Sequence, residues 1–257
     1  MNHRNNAKAL VLTVLFLVSS WNLQALNVQT FNPSITQGGG FRVLGAETLP
    51  AGSAAFGLGL NFVKGSLTVQ DITGGGIERE IVPWMFTQNL QAEAGLCRRF
   101  TLGLDLPLSL VKQLPVGGGT TTDKAYSVGD LSLYGRLNIL SQQNSFLGLA
   151  VVPFIEVPTG AVDHFTGDEG VVLGVKAAIE KTIGRFNSAI NIGYRGRTSD
   201  NTVSQGAGIT PLSVGDEITY GLAASVELIK NRLDLVGDLY GSTTVSDFGT
   251  DRQSSPL

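Results

Sequence analysis

The sequence predicts an all-β protein, a transmembrane antiparallel up-and-down β-barrel. Three observations carry that expectation. Nine segments alternate apolar and polar residues with a period of two, which sends successive side chains to opposite faces of a strand. The links between the segments alternate between long and short, as the outer loops and inner turns of a membrane barrel do. The apolar faces of the strong segments carry no charge, and the polar faces are rich in Gly and Ser rather than in the Lys and Glu of a water-facing sheet.

The chain opens with a different pattern. Arg4 and Lys8 precede the apolar run Ala9 to Val18, followed by Ser19, Ser20 and a stretch ending at Ala25. These ten residues, all apolar but Thr13, reach only about 15 Å as a helix, half of a hydrocarbon core. This is the layout of a secretory signal peptide over residues 1–25, cleaved after Ala25, which takes the mature chain out of the cytoplasm. The alternative is a buried amino-terminal helix. Residues 26–50 then read as a periplasmic lead-in and residues 51–257 as the barrel.

The first strand sets Phe56, Leu58, Leu60 and Phe62 against Gly57, Gly59 and Asn61. The second sets Leu90, Ala92, Ala94 and Leu96 against Asn89, Gln91, Glu93 and Gly95. The third is the cleanest, with Leu102, Leu104, Leu106, Leu108 and Leu110 against Thr101, Gly103, Asp105, Pro107 and Ser109. Leu131, Leu133, Leu137 and Ile139 oppose Asp130, Ser132, Arg136 and Asn138 in the fourth. Further strands put Val171, Leu173, Val175, Ala177 and Ile179 opposite Gly174, Lys176 and Glu180, and Ile190, Ile192 and Tyr194 opposite Asn191, Gly193, Arg195 and Arg197. Another sets Ile218, Tyr220, Leu222, Val226 and Leu228 against Glu217, Thr219, Ser225 and Glu227. The segments 147–157 and 233–240 are weaker, with apolar residues on both faces.

Long links are expected at 64–78, 112–128, 159–169 and 199–215, and short ones at Arg98-Arg99, Ser141 to Ser145, Gly184-Arg185 and Lys230 to Arg232. Phe100, Phe146 and Phe186 follow short links, while Phe62, Trp84 and Phe86 cluster near the first long one. The two groups read as inner and outer aromatic girdles. Pro107 and Pro153 sit awkwardly inside strands, because proline cannot donate to a ladder. The nonapeptides SVGDLSLYG (127–135) and SVGDEITYG (213–221) both fall where a long loop hands over to a strand. Gly-Asp suits a bend at that rim. Yet Tyr134 falls on the polar face and Tyr220 on the apolar one, which requires a β-bulge in one copy or a partly chance likeness. Nine strands from a periplasmic amino terminus leave residues 242–257 outside, whereas bacterial single-chain barrels have even strand numbers. The chain is therefore expected to be an incomplete barrel, unless residues 27–49 supply a tenth strand.

The net charge of −3 gives no case for nucleic-acid binding. Cys97 is the only cysteine, so no intrachain disulfide is available, and with no second thiol it reads as a turn residue. No catalytic constellation is visible. His164 lacks a nearby serine and reads as a solvated loop residue. Asp163, Asp168 and Glu169 do not have EF-hand spacing and read as a solvated acidic loop. The glycine triplets at 38–40, 74–76 and 117–119 lack the following Lys-Ser/Thr of a phosphate loop and read as linkers. No enzyme activity, cofactor or metal is expected.

The polar face is the remaining candidate. Glu93, Asp105, Asp130, Glu156, Glu180, Glu217 and Glu227, with Arg136, Lys176, Arg195 and Arg197, would line a lumen. Paired as salt bridges in a narrow barrel they would be structural; in a wider one they would border a polar pore. A soluble lipocalin-like barrel, with apolar faces turned inward to bind a ligand, is the third reading.

Gly45-Ala-Glu-Thr-Leu-Pro50 leading into Phe56-Gly-Leu-Gly-Leu60, then Leu104-Asp-Leu-Pro-Leu108, Val157-Pro-Thr-Gly160 and Val214-Gly-Asp-Glu-Ile-Thr-Tyr-Gly221, resemble the barrel region of OmpA-family outer-membrane proteins. The resemblance runs over roughly Phe31 to Leu257. It implies a barrel in the outer membrane of a Gram-negative-type bacterium, structural or passively conducting. Such a barrel would meet outer-membrane lipid and lipopolysaccharide, the barrel-assembly machinery and, if the lumen conducts, small solutes. In that family the barrel usually anchors a carboxy-terminal peptidoglycan-binding domain. No residue here matches that domain, so a tethering role would need a part beyond this sequence.

Overall fold

Each stretch of alternating residues forms a strand in the computed structural model, which describes Pro33 and residues 39–70, 78–113, 123–161, 164–199, 201–203, 212–230 and 232–245. The expected signal peptide lies outside the described residues. The strands are β1 (Ala54–Gln70), β2 (Glu78–Cys97), β3 (Phe100–Gln113), β4 (Asp123–Val128), β5 (Leu131–Leu140) and β6 (Gly148–Val157). There follow β7 (Val172–Ile183), β8 (Phe186–Arg197), β9 (Asn201–Val203), β10 (Leu212–Val214), β11 (Glu217–Ile229) and β12 (Leu233–Thr244). The fold is all-β. One ten-stranded antiparallel sheet, curled into a half-barrel, runs β1-β2-β3-β5-β6-β7-β8-β11-β12, with β4 also on β3.

These nine path strands are the nine that periodicity predicts, joined as a meander. Three further strands were hidden in the expected long links: β4, and the ribbon β9–β10 that extends the β8–β11 hairpin. Among the described residues no pairing joins β12 to β1. The residues described in 27–49 contain no strand.

The polarity of the two faces is inverted relative to a water-soluble fold. Phe56, Leu58, Leu90, Leu102, Leu104, Leu133, Leu173, Ile192 and Leu222 stand exposed on the convex face. Asn89, Glu93, Thr101, Arg136 and Glu180 are at most 3% exposed on the concave one. The aromatic groups stand at two levels of the sheet. Phe146 and Phe186 project beside short turns, and Phe62, midway along β1, stacks on Trp84 with ring centroids 6.2 Å apart.

The two interior prolines occupy gaps in the ladders. Pro107 falls where β3 passes from pairing with β5 (Asp105 with Ser132) to pairing with β4 (Leu108 with Val128). Three residue steps on β3 there face four on the neighbour, which is a β-bulge at Gly129-Asp130. The β5–β6 ladder likewise skips Pro153. Neither position asks proline for the donor it lacks.

The bulge also explains the two nonapeptides. It turns Asp130 inward and shifts the parity of the following strand, so Tyr134 points into the curl while Tyr220 is half exposed on the convex face. In the second copy Asp216 instead accepts hydrogen bonds from the Tyr194 hydroxyl and the Arg197 N–H, which hold its carboxyl below the usual range.

Residues 39–50 do more than lead into the barrel. They form a strap across the concave face, roughly perpendicular to the strands they cross. The Arg42 and Val43 N–H groups donate to Asp238 of β12 at 2.6 and 3.2 Å. Leu44 exchanges bonds with the Asn191 side chain of β8 at 2.6 and 2.9 Å. Ala46 donates to Glu180 of β7 at 2.7 Å and accepts from Asn138 of β5 at 2.8 Å, and Leu49 donates to Thr101 of β3 at 2.9 Å. A buried backbone must find partners, and inward Asp, Asn, Glu and Thr side chains supply them strand by strand. Small side chains fit the strap to the sheet: Val43 packs on Ala189 and Ala223, and Leu44 and Ala46 pack with Ala150, Val152 and Ala178.

Glycine on the concave face makes room for this. A Cβ at Gly95 would lie 2.2 Å from the Pro50 carbonyl oxygen. Gly95→Val is expected to displace the end of the strap and cost about 1–3 kcal/mol, the usual range for overpacking. Denaturant unfolding of the variant would measure it, and an unchanged midpoint would count against a seated strap.

Candidate functional site

The concave face gathers its charges into two groups. In the first, Arg136 on β5 is 1% exposed and meets Glu93 on β2 at 3.0 Å. The same Glu93 oxygen accepts from the Tyr134 hydroxyl at 2.6 Å, and Arg136 donates to the Glu47 carbonyl of the strap at 3.1 Å. Gly103 leaves space for the Tyr134 ring, which a Cβ there would approach to 2.3 Å. Removing two ions from water is costly, so such a pair holds only when its remaining hydrogen bonds are met. The tyrosine and the strap help to meet them.

The second group stands toward the opposite end of the strands. Arg195 reaches Glu156 at 2.5 Å, Asp168 at 2.9 Å and Glu217 at 3.2 Å. Arg197 reaches Glu217 at 3.0 Å and Asp168 at 3.7 Å. Asp168 comes from the link between β6 and β7, where Thr166, Gly167 and Asp168 are buried. The Asp130 carboxylate accepts the Gly160 and Asp168 N–H groups at 2.9 and 2.7 Å. Thr166 meets Ser127 at 2.6 Å. Phe165, with φ of 58°, packs on Val82, Met85 and Val111. A bulky residue at positive φ is unfavourable by itself, and this packing holds it there.

That loop corrects the reading of a solvated acidic segment. Asp168 is 1% exposed because two arginines take it inward. His164 is half-buried, with no hydrogen-bond partner for Nδ1. Asp163 lies outside the described residues. Among the described residues no group of three His, Cys, Asp or Glu could hold a metal ion. Cys97 is a free, exposed thiol.

The eleven charged residues read as lumen lining share the parity of the concave side. Glu93 and Arg136 form one group; Glu156, Arg195, Arg197 and Glu217 form the other. Asp130 secures the inward loop, and Glu180 holds the strap and Asn187. Asp105 accepts from Asn89 at 2.9 Å. Asp105, Glu156 and Lys176 border a cavity of about 60 Å³ roofed in part by Arg42 and Leu44 of the strap. Glu227 keeps the inward parity of β11 near the Gly184-Arg185 turn, where its N–H bonds the Arg185 carbonyl. Sequence reasoning missed Glu47, Tyr134, Asp168, Asn191 and Asp238 as structural partners. Inward parity marks Asn191 on its strand, but nothing local marks Glu47 or Asp168.

No protein-family model matches this chain, and no curated protein matches it.

Proposed function

We propose that this chain is an outer-membrane β-barrel protein whose lumen is occupied by its own segments, structural in role rather than an open pore. The observation that carries the membrane reading is the inverted polarity: large apolar side chains stand exposed around the convex face while charged groups are buried within the curl. A lipocalin-like soluble barrel would have the opposite arrangement. Strands of 10–20 residues in the path meet the length of about 9–11 that a bilayer requires. The aromatic side chains beside the short turns and at the Phe62–Trp84 level suit the two lipid interfaces. The leader-like residues 1–25 and the short motifs resembling the OmpA-family barrel region favour the outer membrane. Lipid, lipopolysaccharide and the barrel-assembly machinery are then its partners.

The structural role rests on what fills the concave face. The strap crosses it, the inward loop covers it further along the strands, and hydrogen bonds to the strap and ion pairs to Asp168 of the loop tie these segments to the sheet. Planar-bilayer recording of the folded chain tests this. It is expected to show no stable single-channel steps. Reproducible ohmic steps would replace the structural role with that of a passive pore for small solutes.

A further inference from the structure

The arginines of the two charge groups all have carboxylate partners: Arg136, Arg195 and Arg197. Arg42 and Lys176 differ. Among the described residues neither has a carboxylate oxygen within 4.0 Å. Each rests on an aromatic face instead, Arg42 4.1 Å from the Tyr240 ring centroid and Lys176 5.1 Å from that of Phe154. Asp238, beside Arg42, accepts the main-chain N–H groups of the strap.

Both cations border the same cavity, and so does Asp105. Asp105 is 5% exposed; its Oδ2 accepts from Asn89, and its Oδ1 is buried with no hydrogen-bond partner. The other carboxylate at the cavity, Glu156, is engaged by Arg195 at 2.5 Å. The wall thus presents two cations without carboxylates and one carboxylate oxygen without a donor. Unmet charges of both signs are costly in a desolvated site. The space of about 60 Å³ holds about four to six ordered waters at roughly 10–15 Å³ each, or a solute with about as many heavy atoms.

We infer that this cavity is a binding site for a small zwitterion, with the ligand carboxylate at Arg42 and Lys176 and its ammonium at Asp105. A simple anion would leave the Asp105 oxygen unmet. A simple cation would add a third positive charge. Val152 and Phe154 border the same space and restrict the ligand to about the size of glycine.

The test is calorimetric titration of the full, detergent-folded chain with glycine, acetate and methylammonium at constant ionic strength. Glycine is expected to bind saturably, and the two half-ligands at least about tenfold more weakly. Asp105→Asn and Lys176→Met should each weaken glycine binding by about tenfold or more, while Lys181→Met should not. Absence of glycine binding, acetate binding as tight as glycine, or undiminished glycine affinity in a folded Asp105→Asn protein would each overturn the site. Should a variant fail to fold, the three-ligand comparison on the unmodified chain decides.

Discussion

Replacing Arg136 with alanine is expected to cost about 3–5 kcal/mol of folding stability, the range for leaving one member of a buried ion pair alone. Arg136 and Glu93 are each 1% exposed at the side chain, 3.0 Å apart. Deleting the guanidinium would strand the Glu93 carboxylate with only the Tyr134 hydroxyl as donor, and would free the Glu47 carbonyl of the strap. Removing both charges should restore much of the loss, because the desolvation cost goes with them. Urea unfolding of Arg136→Ala, Glu93→Gln and the double variant Arg136→Met/Glu93→Gln measures the coupling. A loss under about 1 kcal/mol in the single arginine variant would mean that water reaches the pair.

Leu104→Arg is the second large effect, about 2–4 kcal/mol near a bilayer midplane. Leu104 is 39% exposed on the convex face, between Ala92 of β2 and Leu133 of β5. If that face meets hydrocarbon, a guanidinium there must be dragged from water. If it meets water, the same substitution falls within about 0.5 kcal/mol, as at ordinary surface positions. Ser109, which parity alone offers as a tolerant control on the other face, is unsuitable because it is 3% exposed and bonded to Thr87 at 2.9 Å. Gln88 is the better control, polar and exposed at the same sheet level as Leu108. Gln88→Arg in the same vesicles sets the baseline for an added charge toward the end of the belt.

Strand identity was legible because alternation is a local property. Leu102 to Leu110 names its faces without reference to any other segment. Strand ends were less legible. β4 hid in a link because Asp123 to Val128 puts a charge on each face, Asp123 on one and Lys124 on the other. The inward side of the charges was legible too, since parity follows from the neighbouring leucines, and the Tyr134 discrepancy pointed correctly to a bulge. What could not be read was pairing. The strap is bound through its own backbone, so Gly39 to Pro50 needs no periodicity and shows none. Asp168 looks like any loop aspartate, and only the return of the link over β8 brings it to Arg195 and Arg197. The cavity likewise depends on Arg42 arriving from the strap opposite Lys176 of β7.

The claim that the apolar convex face is made for lipid is tested most directly by refolding the urea-denatured chain with and without phospholipid vesicles, following circular dichroism and band migration in unheated gels. With vesicles, β-structure and a folded, faster-migrating band that disappears on boiling are expected. In buffer alone aggregation is expected, because the exposed belt of Leu, Ile, Val and Phe has nothing to cover it. A monodisperse, cooperatively unfolding monomer in plain buffer would contradict it.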